Sequence, residues 1–224
     1  MRGRILYLLA AALLAGCTPA PFPEPKAVPV PAGVGAARLA HGSWTAQPGC
    51  FLLEQRAEFD FHGRKLRMRG LMRLDTAAGS ARLIAVDDLG IKLFDLTVTR
   101  SGQTLNAELP ELARYPRLAE GIGASVRRIF LVPLPEPGDR LRAGATSYVL
   151  SRPWREGGVR FTFGGSGLVL QQTRAEGGEQ DWTVAYYQYH RLRGVNYPAG
   201  IVLADARAGY RLTLWLDTMR RIDE

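Results

Sequence analysis

The sequence predicts a mainly β domain, built as one antiparallel sheet of about 10–11 strands with a short embedded helix. Three observations carry this. Apolar and charged residues alternate with period two over most of the chain beyond residue 50. Short glycine-containing turns separate the alternating runs. Only one stretch repeats its apolar residues every three to four positions. The balance of 46% hydrophobic and 22% charged residues over 224 residues fits a single packed domain and excludes a disordered chain. Gly 25 and Pro 14 favour many turns over long helices. Two cysteines exclude a disulfide-dense scaffold.

The first segment has a different logic. Arg2 and Arg4 precede an apolar run over residues 5–14, too short to span a bilayer. Leu14-Ala15-Gly16-Cys17 follows and resembles the bacterial lipobox. Residues 1–16 are therefore expected to be a lipoprotein signal peptide and Cys17 the lipidated residue, with Thr18 next to it as in outer-membrane sorting. Six prolines at 19, 21, 23, 25, 29 and 31 make residues 17–35 an expected extended tether that packs no core. The folded domain is placed at residues 36–224. With Cys17 acylated, no second cysteine is left for an intramolecular disulfide, and Cys50 is expected to be a small buried apolar residue.

The strands follow in order. In residues 53–61, Leu53, Ala57, Phe59 and Phe61 alternate with Glu54, Arg56, Glu58 and Asp60. His62-Gly63 turns the chain, and Leu66, Met68, Met72 and Leu74 then alternate with Arg67, Arg69 and Arg73. Residues 81–86, 91–99 and 103–109 read as three more strands around Asp87-Asp88-Leu89-Gly90 and Ser101-Gly102. Residues 159–163, 168–173, 182–191, 201–205 and 210–219 complete the set, the last with Tyr210, Leu212, Leu214 and Leu216 on one face. Leu118, Ile122, Val126, Ile129 and Phe130 define the helix, between Pro116 and Pro133. A sheet with one apolar face must bury it, by closing or by curling around the helix. Either leaves room for an apolar cavity, open or filled by side chains.

Two patches resemble a known family. Trp182-Thr183-Val184-Ala185-Tyr186-Tyr187-Gln188-Tyr189, then Tyr197-Pro198, Ile201-Val202-Leu203 and Arg211-Leu212-Thr213-Leu214-Trp215, are similar to the C-terminal part of the LolB family of outer-membrane lipoproteins. Arg82-Leu83-Ile84, Asp87-Asp88-Leu89-Gly90 and Leu93-Phe94-Asp95-Leu96 resemble its strand, protruding loop and next strand. The resemblance runs in element order from about Leu53 to Arg220, and departs from the family in the basic run over residues 64–73. It implies an incomplete, half-open barrel that holds acyl chains in an apolar cavity under helical lids. Phe59, Phe61, Met68, Met72, Phe94, Leu96, Trp182, Tyr186, Tyr189, Leu212 and Leu214 are its candidate lining. Leu89 and Gly90 would form a membrane-insertion loop, unless Leu89 folds back as core. The implied partners are lipidated proteins or other acyl-chain ligands, a periplasmic carrier, and the outer membrane through Cys17, with the monomer facing the periplasm.

Other constellations are weaker. Gly164-Gly165-Ser166-Gly167-Leu168 breaks the nucleophile-elbow pattern at Leu168 and joins strand to strand. A Ser166/His190/Asp205 triad can be written down without support from spacing. His41, His62, His190 and Cys50 lack metal-ligand spacing, and no phosphate-binding loop is present. No catalytic residue, metal or cofactor is expected. Arg64-Lys65-Leu66-Arg67-Met68-Arg69 is either a patch for anionic lipid or a solvated strand face. Nucleic acid is not expected as a partner of a secreted chain. The leading reading is a receptor or carrier for lipoproteins. The alternatives are a binding module for another envelope lipid or glycolipid, and a structural lipoprotein with a filled core.

Overall fold

The computed structural model describes residues 21–115, 117–192 and 194–222. The signal peptide, Cys17 and Pro116 lie outside the described residues. Twelve strands form one antiparallel sheet: β1 (Cys50–Phe61), β2 (Arg64–Asp75), β3 (Ser80–Val86), β4 (Lys92–Thr99), β5 (Gln103–Glu108), β6 (Arg140–Ala143), β7 (Ser147–Trp154), β8 (Gly157–Gly164), β9 (Val169–Gly177), β10 (Gln180–Leu192), β11 (Val195–Asp205) and β12 (Tyr210–Arg221). Their order is β5-β4-β3-β2-β1-β12-β11-β10-β9-β8-β7-β6, so β5 and β6 are the two edges and the sheet is curved but not closed. Every pair of neighbouring strands is joined by a hairpin except β1 and β12, and the β5-to-β6 connection runs from one edge of the sheet to the other.

The twelve strands are two more than the ten runs named from the sequence. Neither β6 nor β7 advertises itself. β6 is four residues long and alternates with arginines, and β7 carries Pro153 near its end, which only a strand terminus tolerates well. β11 also starts earlier than expected, because Tyr197 and Pro198 pair with His190 and Tyr189.

The curvature has local causes. The register shifts at Glu54/Gln55, Ala85/Val86, Asp95/Leu96 and Thr162/Phe163. Each such bulge adds bend and twist to its strand. In β10, Gln188 takes φ 52 and interrupts the alternation. Tyr186 and Tyr189 consequently both pack on the inner core, while Tyr187 points to the outer face.

Helix α1 (Ala36–Gly42) buries Leu39 and Ala40. At seven residues it is too short to show a helical period, and the sequence reading missed it. Helix α2 (Arg117–Val126) continues into a π-helical turn over Arg127–Leu131 and buries Ile122, Val126, Ile129, Phe130 and Leu131. It lies within the curve of the sheet, on the face that carries the main core.

The outer face is charged and paired across strands. Arg56 meets Asp217 at 2.8 Å, Lys65 and Arg67 share Glu58 at 2.7 and 2.9 Å, and Arg82 meets Asp95 at 2.7 Å. Within the basic run on β2, Lys65 and Arg67 are matched by one carboxylate of the neighbouring β1, Glu58, which favours the solvated-face reading for those two. Cys50 is buried, and Arg73 Nε donates to its Sγ at 3.1 Å.

The proline-rich segment departs from expectation. Phe22 is 7% exposed, and Val34 is buried in the main core. Between them Val30 N–H donates to the Ala145 carbonyl at 3.1 Å, and Tyr148 OH donates to the Pro31 carbonyl at 2.6 Å. Residues 22–34 are a strap laid on the domain. Composition argued against a core of the segment's own, and it has none; it borrows apolar surface from the sheet.

Candidate functional site

The inner face of the sheet and α2 enclose one largely apolar cavity. Its floor is Ala57, Phe59, Met68, Gly70, Leu83, Ala85, Leu212 and Leu214, and its roof is Ile122, Val126, Ile129 and Phe130. Ala57, Gly70 and Ala85 put three small residues side by side on β1, β2 and β3, and over Gly70 the space is taken by Leu83 and Gln55. The cavity's volume is about 30 Å³. That admits roughly one or two waters and no acyl chain. The roof therefore fills the curve of the sheet, and a chain could enter only where α2 withdraws.

Four of the predicted lining residues, Phe59, Met68, Leu212 and Leu214, do line this cavity. Met72, Phe94, Leu96, Trp182 and Tyr186 are buried in the same core without reaching it. Tyr189 packs at the core margin, and its hydroxyl donates to the Leu170 carbonyl. Burial holds the Tyr186 hydroxyl up at about 12. Phe61 is a correction: it shares the face of Phe59 but is 46% exposed at the tip of β1, edge-on to His62. Alternation assigns a side, and the strand end then runs out of cover.

Gln55, on the bulge in β1, is the single polar side chain in the lining. It is 5% exposed, and its Oε1 has no hydrogen-bond partner among the described residues. A buried acceptor left so costs about 1–3 kcal/mol.

The roof is tied down by polar contacts that sequence reasoning missed. Arg128 Nη1 donates to Asp205 Oδ2 at 2.5 Å and to Tyr210 Oη at 3.2 Å, with its guanidinium 5.3 Å from the Trp182 ring centre. The Ser125 and Tyr210 hydroxyls are 2.9 Å apart. On the other side Arg127 donates to the Gly102 carbonyl and to Gln103 Oε1 at 2.9 and 3.1 Å. Burial pushes the Tyr210 hydroxyl up, partly offset by Arg128. These partners lie 24–85 positions apart in the chain, so no local pattern announces them.

The β3–β4 turn is the other feature. Asp87 Oδ1 accepts from Leu89 N–H and Ile91 N–H, both at 2.9 Å, and Gly90 takes φ 83. The backbone is thereby shaped without help from the Leu89 side chain, which is 86% exposed. Ile91 beside it is exposed too. Leu89 does not fold back onto the sheet.

Ser166, His190 and Asp205 are not brought together. Asp205 pairs with Trp182, whereas His190 pairs with Tyr197, eight positions along both strands and so roughly 27 Å away. Among the described residues no three His, Cys, Asp or Glu side chains cluster as a metal would need, and no helix is long and apolar enough to cross a membrane.

An open, curved antiparallel sheet with a short helix packed in its hollow is the LolA/LolB-like fold. Solved structures of this fold match along most of the chain. A LolA superfamily protein from Nitrosomonas europaea superposes with a TM-score of 0.55 at 11% identity, over 86% of this chain and 96% of that one. A putative outer membrane lipoprotein-sorting protein domain from Vibrio parahaemolyticus gives 0.54 at 10% identity, over 81% and 87%. No family model and no curated protein matches the sequence.

Proposed function

We propose that this protein is a lipid-anchored envelope protein that binds acyl chains between its sheet and α2, as a receptor or carrier for lipidated proteins. The observation that carries the reading is the lining: thirteen residues between the sheet and the roof helix, of which only Gln55 is polar. Acyl chains bind such a surface through burial alone, at about 0.8 kcal/mol per CH₂. No covalent step is required. Affinity grows with each methylene that enters and is offset by the free energy of lifting α2.

Cys17 would hold the protein to the outer membrane, facing the periplasm. The side chains of Leu89 and Ile91, exposed on a turn that is held through the backbone, would touch the bilayer during delivery. The lipoprotein-sorting name of the Vibrio domain fits this assignment. The same lining would accept another envelope lipid, and the nature of the headgroup then decides the cargo.

A second reading has its own observation. A cavity of 30 Å³ is nearly filled by the protein's own side chains, as in a purely structural lipoprotein. Native mass spectrometry of the Cys17→Ser chain from a bacterial periplasm separates the two. Co-purified acylated peptide or lipid is the expected result. A bare protein mass that added acyl probes leave unchanged would establish the structural reading.

A further inference from the structure

The strap holds the domain on a short lead. If residues 17–35 were a free tether, Cys17 and the start of α1 would be separated by up to roughly 65 Å of chain. Phe22 shortens this. Its ring stacks on Tyr187 with centres 5.3 Å apart and an interplanar angle of 26°, and lies 5.7 Å from the Trp215 ring. Val202 completes the cluster, on the outer face and separate from the main core. Gly200 makes the seat: a Cβ there would fall 2.6 Å from the Phe22 ring. The Val30 and Pro31 hydrogen bonds and the buried Val34 then pin the rest of the strap.

Only five positions separate Phe22 from Cys17, at most about 18 Å of chain. Phe22 lies on the outer face of β10, β11 and β12. The sheet, the side-chain layer under it and α2 together are roughly 20 Å deep or more. A bilayer reached by this lead cannot lie on the α2 side. The seat also has the composition of a membrane interface: Tyr187 and a partly exposed Trp215, with the Arg56 guanidinium 6.0 Å from the Trp215 ring centre.

We infer that the docked strap turns the outer face of β10–β12 toward the bilayer that holds the lipidated Cys17, and leaves α2 facing away from it. The inference rests on the lipid anchor of the proposed function. It adds a fixed orientation, in which cargo is taken from the periplasmic side.

The test uses the full lipidated chain in vesicles containing nitroxide-headgroup lipids. A fluorophore is attached at Gln172→Cys, on the outer face of β9 beside Ala185, or at Glu120→Cys on α2. The expected result is quenching at 172 at least three times that at 120. Phe22→Ala, and independently Gly200→Ala, should reduce quenching at 172 at least twofold while the protein still floats with the vesicles. Wild-type protein that does not float overturns the anchor. Floating protein with equal quenching at the two sites overturns the orientation, and quenching unchanged in both variants overturns the role of the strap.

Discussion

Replacing Leu89 by glutamate separates stability from delivery. The side chain is 86% exposed, and the turn is held by the Asp87 carboxylate through backbone N–H groups, not by the Leu89 side chain. Folding therefore gains almost nothing from Leu89, and the change in unfolding free energy should stay within about 0.5 kcal/mol. A bilayer contact is different. Burying a leucine side chain is worth about 1.5–3 kcal/mol, and nearly all of that surface is available here. A loss of about 2 kcal/mol corresponds to roughly 30-fold in an equilibrium constant. Glutamate adds the penalty of bringing a charge to the interface. The assay is transfer of a dye-labelled acylated peptide from the anchored protein into vesicles, followed in a stopped-flow instrument, with urea unfolding in parallel. Transfer should slow at least tenfold while the urea midpoint barely moves. An unchanged transfer rate would refute the membrane role. A stability loss above about 1.5 kcal/mol would instead make Leu89 part of the core, against its exposure.

Three further outcomes are expected. Cys17→Ser should release the protein from the membrane fraction into the soluble periplasm; continued membrane association would end the anchor assignment. Asp205→Asn leaves the half-buried Arg128 without its carboxylate and should cost about 1–3 kcal/mol, with faster hydrogen exchange across residues 117–131; unchanged exchange there would mean that Arg128 does not hold the roof. Hydrogen bonds from Arg82, then Asn106, hold the Asp95 carboxyl down at about 2. Its folded value lies below the unfolded one near 4, so this stability is complete above about pH 4 and is lost as pH falls toward 2. Asp95→Asn should flatten that part of the acid-unfolding curve by on the order of 1 kcal/mol, the exposure of Arg82 weakening the pair.

The fold was legible wherever a strand buries one face only. Leu53, Ala57 and Phe59 against Glu54, Arg56 and Glu58 announce β1 and its inner side, and Leu212, Leu214 and Leu216 do the same for β12. The helical spacing of Leu118 to Phe130 announces the roof. Alternation names a side because side chains in a strand point to opposite faces. It carries no information about depth, so Phe59 and Phe61 read alike in sequence and part company in space. Short elements, α1 and β6, lack the residues to show a period at all.

What the sequence determined by itself is the class of fold and the apolar inner face, since both follow from the order of neighbours along the chain; it left open whether Leu89 points out from its turn or folds back as core. The tertiary structure decided the rest. The cavity is nearly filled because Ile122, Val126, Ile129 and Phe130 come down on the adjoining strands β1, β2 and β3, remote from them in sequence. The roof is fastened by Arg128 and Asp205, 77 positions apart. A proline-rich strap, read as free from its composition, is held because Gly200 leaves room for Phe22 against Tyr187. All three are contacts between residues remote in sequence, and local pattern records only what a residue's neighbours require of it.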